Sequence, residues 1–356
     1  MTYERAAIQR MHGYVPGKQP ANPDTIKLNT NENPYPPSPS VFEVLKSIGA
    51  EHLRKYPEPM AQEFRNEAAK LHGLRPEQIV AVNGGDELLR MVITTFVDPG
   101  RPIGILEPSY SLYPVLAEIQ ASPVVRVPAT ADFGVPPDFA ARMNAEGVNL
   151  SMLVNPHAPS GRLLTRDEIA KIAEELKGVL LVDEAYIDFV DPELGHNLLP
   201  LLESHDNVMM LRTLSKGYSL AGLRYGYGLG CESLIAPLLT KTRDSYNVDA
   251  IAQRVATAAL RDQAHAQSSW QHVRSERARL HEALHGLGFN APRSQSNFLL
   301  ATVPSGKNAL DLQRGLEARG LLVRYFNEPR LDDALRITVG TPEQNDRLLK
   351  ALRELV

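Results

Sequence analysis

The sequence predicts an α/β protein: a seven-stranded, mostly parallel sheet with helices on both faces, followed by a smaller α+β domain. Three observations predict it. Between Gln78 and Leu229, seven short β-rich runs alternate with segments of helical spacing. After about residue 265 the pattern changes to a long charged helix and three further strand-like runs. The residues with chemical potential fall just after strands, at the carboxyl edge where open α/β sheets bind ligands.

Taken in order, residues 12–40 are dense in Pro and Asn, including Asn31-Glu-Asn-Pro-Tyr-Pro-Pro37, so this segment should be extended and irregular rather than helical. Residues 1–40 are read as an arm that joins the smaller domain, 41–265 as the large domain and 266–356 as the small one. The large-domain strands are expected at Gln78–Val82, Pro102–Leu106, Pro123–Val127, Leu150–Val154, Val179–Val182, Val208–Leu211 and Arg224–Leu229. The small domain opens with a helix over Ser269–Leu287, and its strands lie near Phe298–Leu300, Leu321–Arg324 and Leu335–Val339.

A chain of 356 residues, 43% hydrophobic and 22% charged, can bury a substantial core. Its net charge of -4 gives no broad attraction to nucleic acid or an anionic membrane, so any phosphate must be recognised locally. A single cysteine, Cys231, excludes an intrachain disulfide framework and fits a reducing compartment. The first ten residues lack the apolar core of a secretory signal, and no stretch approaches the roughly 18 apolar residues of a membrane span. A cytoplasmic protein beginning near Met1 is therefore expected.

The chemistry centres on Lys216, in the run Leu211-Arg-Thr-Leu-Ser-Lys-Gly-Tyr-Ser-Leu-Ala-Gly-Leu-Arg224. A lysine after an apolar segment is usually a solvated side chain. Here, though, Val208–Thr213 reads as a strand, which puts Thr213, Ser215 and Lys216 at its carboxyl end. Asp183 closes a second strand at the same edge. A lysine flanked by hydroxyls, with an arginine nearby, can make a Schiff base while its neighbours hold a phosphate, and an acid can face a pyridinium nitrogen. Together they look like the two halves of a pyridoxal-phosphate (PLP) site.

Val82-Asn-Gly-Gly-Asp-Glu87 places a glycine turn before an amphipathic helix, whose first amides suit a phosphate. The same residues could merely complete a turn and favour the helix dipole. Tyr110 follows another strand and could stack on a ring or pack in the core. Tyr186 could bond a cofactor oxygen or simply end a strand.

The order Asn-Gly-Gly-Asp-Glu, Glu-Pro-Ser-Tyr, Asn-Pro-His-Ala-Pro-Ser-Gly, Val-Asp-Glu-Ala-Tyr, Thr-Leu-Ser-Lys and Arg-Ile-Thr-Val-Gly resembles the fold-type I, class I/II PLP-dependent aminotransferases. Within them it is most similar to the histidinol-phosphate aminotransferase family, over nearly the whole chain. The resemblance implies a homodimeric transaminase of histidine biosynthesis that exchanges an amino group between glutamate/2-oxoglutarate and a phosphorylated imidazole substrate. It implies that Lys216 carries the cofactor and shuttles a proton, that Asp183 keeps the pyridine nitrogen protonated, and that Tyr110 stacks. Tyr186 would bond the phenolic oxygen, while the Gly85, Asp86 and Glu87 amides, Thr213, Ser215 and Arg224 hold the phosphate. Tyr56 would reach the neighbouring subunit's cofactor. Arg336 would receive the donor's carboxylate, with Arg324 and Tyr14 helping to grip a phosphate and Asn31 lining the pocket. Arg324 could equally be a surface ion pair, and Asn31 a turn residue.

One departure stands out: the family's usual Asn-Asn-Pro-Thr-Gly is replaced in Asn155-Pro-His-Ala-Pro-Ser-Gly161, and Ala158 cannot supply the asparagine's bond to the cofactor. That bond is worth about 1.5–3 kcal/mol, and His157 is a candidate to compensate. Within the class, the alternatives are a transaminase for aromatic amino acids and a decarboxylase acting on threonine phosphate. A PLP-fold ligand-sensing regulator is disfavoured by the lack of a basic DNA-binding extension. A nicotinamide-dependent oxidoreductase is disfavoured because Gly84-Gly85 lacks a third glycine.

Overall fold

The computed structural model describes residues 3–356. A seven-stranded sheet runs in the spatial order Ile79–Val82, Gly226–Gly230, Val208–Thr213, Val179–Asp183, Leu150–Val154, Ile103–Glu107, Val124–Pro128. All neighbouring pairs are parallel except those of Gly226–Gly230, which is antiparallel to both flanking strands. Each expected large-domain strand is present within a residue or two at either end.

The strands alternate their side chains between two cores, as the period-two geometry of a strand requires. Ile79, Ala81, Leu180, Val182 and Met210 pack on one face. Val80, Val82, Leu181, Met209 and Leu211 pack on the other. Helices cover both faces, so a strand has no solvent side and reads as a continuous apolar run. Fully burying a Leu, Ile or Val side chain contributes about 1.5–3 kcal/mol, which is what holds the layers together.

The second sheet has four strands in the order Ile26–Leu28, Leu321–Tyr325, Ala334–Thr338, Phe298–Thr302. Ile26–Leu28 comes from the arm and pairs in parallel with Leu321–Val323. The arm is thus not irregular throughout: Ala6–Arg10 is a short helix and Ile26–Leu28 a regular strand. Both lie in stretches free of proline, where nothing prevents regular pairing.

The charged helix spans Gln263–Gly286 and starts six residues before the expected Ser269. The Asp262 side chain accepts from the backbone N–H of His265 at 3.3 Å, an N-cap that outweighs the weak apolar periodicity of the first turns. No described helix is long and apolar enough to cross a membrane.

From this helix Arg277 reaches between the two sheets. Its Nη1 donates to the carbonyls of Phe189 at 2.8 Å and Ser296 at 2.9 Å, and its Nη2 meets Asp191 Oδ1 at 2.6 Å. The side chain is 6% exposed, so nothing from solvent can replace it. Arg277→Ala should destabilise the protein by about 2–5 kcal/mol, because it leaves two buried carbonyls without their donor, while Asp191 keeps its bond from Gln295. Denaturant unfolding measures this; a loss under about 1 kcal/mol would mean that Arg277 is not a tie between the layers.

Candidate active site

At the carboxyl ends of the central strands lies a cavity of about 290 Å³, walled by the larger sheet, the smaller sheet and the arm. It gathers Tyr14, Asn31, Gly85, Asp86, Tyr110, Asp183, Tyr186, Thr213, Ser215, Lys216, Arg224, Arg324 and Arg336. Val154, Asp183 and Thr213 end three adjacent strands, so the sheet itself sets their spacing.

Lys216 projects into this space, and its Nζ donates to the backbone carbonyl of Thr30 at 3.0 Å. Burial lowers its pKa to about 8, with Arg336 and Arg224 adding to the effect and Glu32 opposing it. The lysine's backbone is held from several sides. The Gly217 carbonyl accepts from Trp270 Nε1 at 2.8 Å and Asn33 Nδ2 at 3.2 Å. A side chain at Gly217 would come within 2.1 Å of an Asp188 carboxylate oxygen, so only glycine permits this turn. Beneath, Arg212 Nε donates to the buried Glu184 carboxylate at 2.9 Å, a pair that rigidifies the floor.

Asp183 is 5% exposed and accepts from the Tyr113 hydroxyl at 2.8 Å and the Ala185 amide at 3.1 Å. Burial raises its pKa to about 6, against the pull of those two hydrogen bonds. Tyr113 was not singled out from the sequence. Tyr113 lies in the first turn of the helix Leu112–Ile119, and its ring meets that of Tyr110, just before the helix, edge-on at 5.5 Å.

The start of the helix Gly84–Phe96, Thr213, Ser215 and Arg224 surround one end of the cavity. Arg224 has φ 59, and its guanidinium meets Asp86 at 3.2 Å, the Ala221 carbonyl at 3.1 Å and Ser215 Oγ at 3.5 Å. Gly84 has φ +77, and a Cβ there would lie 2.6 Å from Arg224 Nη2. The guanidinium therefore packs directly on the helix start. Amides, hydroxyls and a guanidinium converging at a helix N-terminus are the donor set that a phosphate needs.

A second cationic patch faces the other end. Arg324 and Arg336 are directly paired across antiparallel strands, so their side chains share one face of the small sheet. Neither forms an ion pair among the described residues. Arg336 Nη2 donates to the Asn29 carbonyl at 3.1 Å, and its Nε is buried without a partner. Phe298 and Phe326 lie 5.3 and 5.4 Å from its guanidinium carbon. Two like charges side by side are unfavourable until an anion joins them. Arg324 is not the surface ion pair left open by the sequence.

Neither the Glu87 carboxylate nor Tyr56 lines this cavity; the expectation for Glu87 concerns its backbone amide, and that for Tyr56 concerns the neighbouring subunit's site. The Glu87 carboxylate turns back to cap its own helix, accepting from the Asn83 amide and from Asn247 Nδ2. Tyr56 is 81% exposed and stacks on Tyr246 at 4.5 Å in a separate surface depression. His157 does not compensate for Ala158. It is buried, and its ring nitrogens meet the Pro108 carbonyl at 2.9 Å and Ser160 Oγ at 2.8 Å. Burial lowers its pKa to about 4, so it is a neutral brace for the loop. Ala158 lines the cavity with only a methyl group.

A lysine and a buried acid lining one cavity, with an anion cradle at one end of it and all at the edge of a doubly wound sheet, define a PLP-dependent transferase of fold type I. The cradle and Asp183 suit the two ends of that cofactor, a phosphate and a pyridine nitrogen. The sequence pattern of the family "Aminotransferase class I and II" matches residues 23–352, and the chain belongs to that family. It is 45% identical over 99% of its length to histidinol-phosphate aminotransferase 1 of Nostoc sp., covering 98% of that protein. It is 41% identical to the histidinol-phosphate aminotransferase of Rippkaea orientalis, over 99% of this chain and 98% of that one. The crystal structure of histidinol-phosphate aminotransferase from Sinorhizobium meliloti, in complex with pyridoxal-5'-phosphate, superposes with a TM-score of 0.88 at 24% identity, covering 100% of this chain and 99% of that one.

In the cofactor-free protein, Lys216 should become reactive toward an amine-modifying reagent with a midpoint near pH 8, because burial disfavours the ammonium form. Exposed lysines should respond near pH 10.4. Mass-spectrometric labelling against pH reads this directly; a midpoint for Lys216 that matches the exposed lysines would refute its desolvation.

Proposed function

We propose that this aminotransferase converts imidazole-acetol phosphate and glutamate to histidinol phosphate and 2-oxoglutarate, in histidine biosynthesis. The observation that carries the reading is the presence of two separate anion receptors in one cavity, the cradle at Ser215 and Arg224 and the unneutralised pair Arg324 and Arg336. One serves the cofactor's phosphate. The other takes the anionic group of each substrate in turn, glutamate's carboxylate or the substrate's phosphate, since a guanidinium fork suits both. The names of the relatives support the same substrate.

When bound, PLP supplies an electron-withdrawing ring that stabilises negative charge at the substrate α-carbon. Lys216, whose pKa burial lowers to about 8, would take the proton from that carbon and deliver it to the cofactor's C4′, the reverse transfer serving the second half-reaction. Asp183, held by Tyr113, keeps the pyridine nitrogen protonated. Tyr110 and Tyr186 line the cavity, where they would cover the ring and offer a hydroxyl to its oxygen. Tyr14, whose ring meets Tyr110 edge-on at 6.1 Å, closes the mouth beside Arg324 and excludes water. Glutamate leaves as 2-oxoglutarate before the ketone enters, so the kinetics are ping-pong. The grouping of the arm with 266–356, apart from 41–265, is supported by the arm strand in the small sheet, while the short helix Ala6–Arg10 packs on Leu112–Ile119 of the large part. The exposed Tyr56 supports a homodimer in which it completes the partner's site.

The test is an absorbance titration of the PLP-loaded protein with histidinol phosphate, phenylalanine and threonine phosphate. Histidinol phosphate should convert the bound cofactor at far lower concentration than the others. Arg324→Ala should weaken histidinol phosphate by roughly 10- to 100-fold, the worth of a charge-assisted hydrogen bond, and glutamate much less. Better conversion by phenylalanine would overturn the phosphate role of Arg324 and Tyr14.

A further inference from the structure

Asn31 ties three parts of the molecule together. It sits at φ 58, a left-handed conformation that asparagine tolerates better than most residues, and it is 1% exposed. Its backbone N–H donates to Thr338 Oγ1 at 3.1 Å, and its carbonyl accepts from Asn297 Nδ2 at 2.9 Å. Its side chain lies between Thr338 Oγ1 at 2.9 Å and the Tyr186 hydroxyl at 3.0 Å.

The donors and acceptors leave one consistent arrangement. Thr338 Oγ1 accepts from the Asn31 backbone, so its single proton is free to go to Asn31 Oδ1. With Oδ1 committed to Thr338, the amide must present Nδ2 to Tyr186. Tyr186 then accepts from Asn31, and its own proton has no protein acceptor among the described residues. Tyr186 lines the cavity, so that proton is left available to a ligand there.

We propose that Thr338, acting through Asn31, is a positioning residue that orients the Tyr186 hydroxyl as a hydrogen-bond donor into the cavity, toward the cofactor's ring oxygen. Burial raises the pKa of Tyr186, so the hydroxyl keeps its proton. The charged groups facing it are Arg336 from the small sheet, Lys216 with its Nζ 6.0 Å from the ring centroid, and Asp183 from the adjacent strand end; Tyr14 of the arm also faces it. The inference rests on the cofactor reading but not on the substrate. It matters here because Ala158 offers the ring oxygen no bond, which leaves Tyr186 as its protein donor.

A donor to that oxygen favours its anionic form, so losing the donor makes the proton at the Lys216–cofactor linkage harder to remove and raises its pKa. The experiment is an absorbance-against-pH titration of the holoenzyme for wild type, Thr338→Val, Thr338→Ser, Asn31→Gly, Tyr186→Phe and the Thr338→Val/Tyr186→Phe double variant. Thr338→Val and Asn31→Gly should raise the linkage pKa by roughly half to one unit, the worth of one hydrogen bond. Thr338→Ser, which keeps the hydroxyl, should titrate as wild type. In the Tyr186→Phe background, Thr338→Val should add nothing, since its effect runs through that hydroxyl. A Thr338→Val protein that titrates as wild type, or a shift that persists without the Tyr186 hydroxyl, overturns the proposal. A wild-type protein with no cofactor absorbance overturns the cofactor reading itself, and this inference with it.

Discussion

The site depends on holding Lys216 and Arg336 out of water without neutralising them. Lys216, Arg224, Arg324 and Arg336 converge on one cavity in which Asp86 and Asp183 are among the few acids. Desolvation of such charges costs several kcal/mol each unless dipoles replace the lost water. The arm provides those dipoles. Successive residues serve successive groups: the Asn29 carbonyl accepts from Arg336, the Thr30 carbonyl from Lys216, and the Asn31 amide donates to Tyr186. Backbone carbonyls suit this task because they accept a hydrogen bond without cancelling the charge that a substrate anion must later meet.

That requirement explains why the arm is anchored so firmly. Ile26–Leu28 is hydrogen-bonded into the small sheet and buries Ile26 and Leu28 in its core. Three residues further on, the chain crosses to the large sheet through the Asn31 side chain. A loop that had to be ordered at the moment of binding would spend roughly 1–2 kcal/mol per residue of binding energy on its own entropy. Here much of that cost is met by folding.

The larger fold was legible because its strands are buried on both faces, so each reads as an apolar run bounded by turns. Lys216 and Asp183 were legible for a related reason: a charged residue that ends such a run has to sit at the sheet's edge. What escaped the sequence falls into two kinds. The carbonyls of Asn29 and Thr30 are backbone groups, present at every residue, and only their position gives them a role. Tyr113 and Thr338 are ordinary core-facing residues whose hydroxyls become significant through their neighbours, Asp183 and Asn31. An acid in the first turn of a helix can border a ligand site or cap its own turn, and only the structure shows that the Glu87 carboxylate does the second, leaving its amide as the group a phosphate could use.

The pairing of Ile26 with Leu321 joins segments almost a whole chain apart. Contacts of such separation are the slowest to form, because nearly the full loop-closure entropy precedes any reward. During synthesis the large sheet can assemble while the arm waits for a strand that has not yet been made. A nascent chain at that stage has its lysine and its buried acid, but the Thr30 carbonyl to which the lysine donates is not yet held in place. The register of three residues near the start of the chain thereby makes the setting of that lysine wait on one of the last strands to be made.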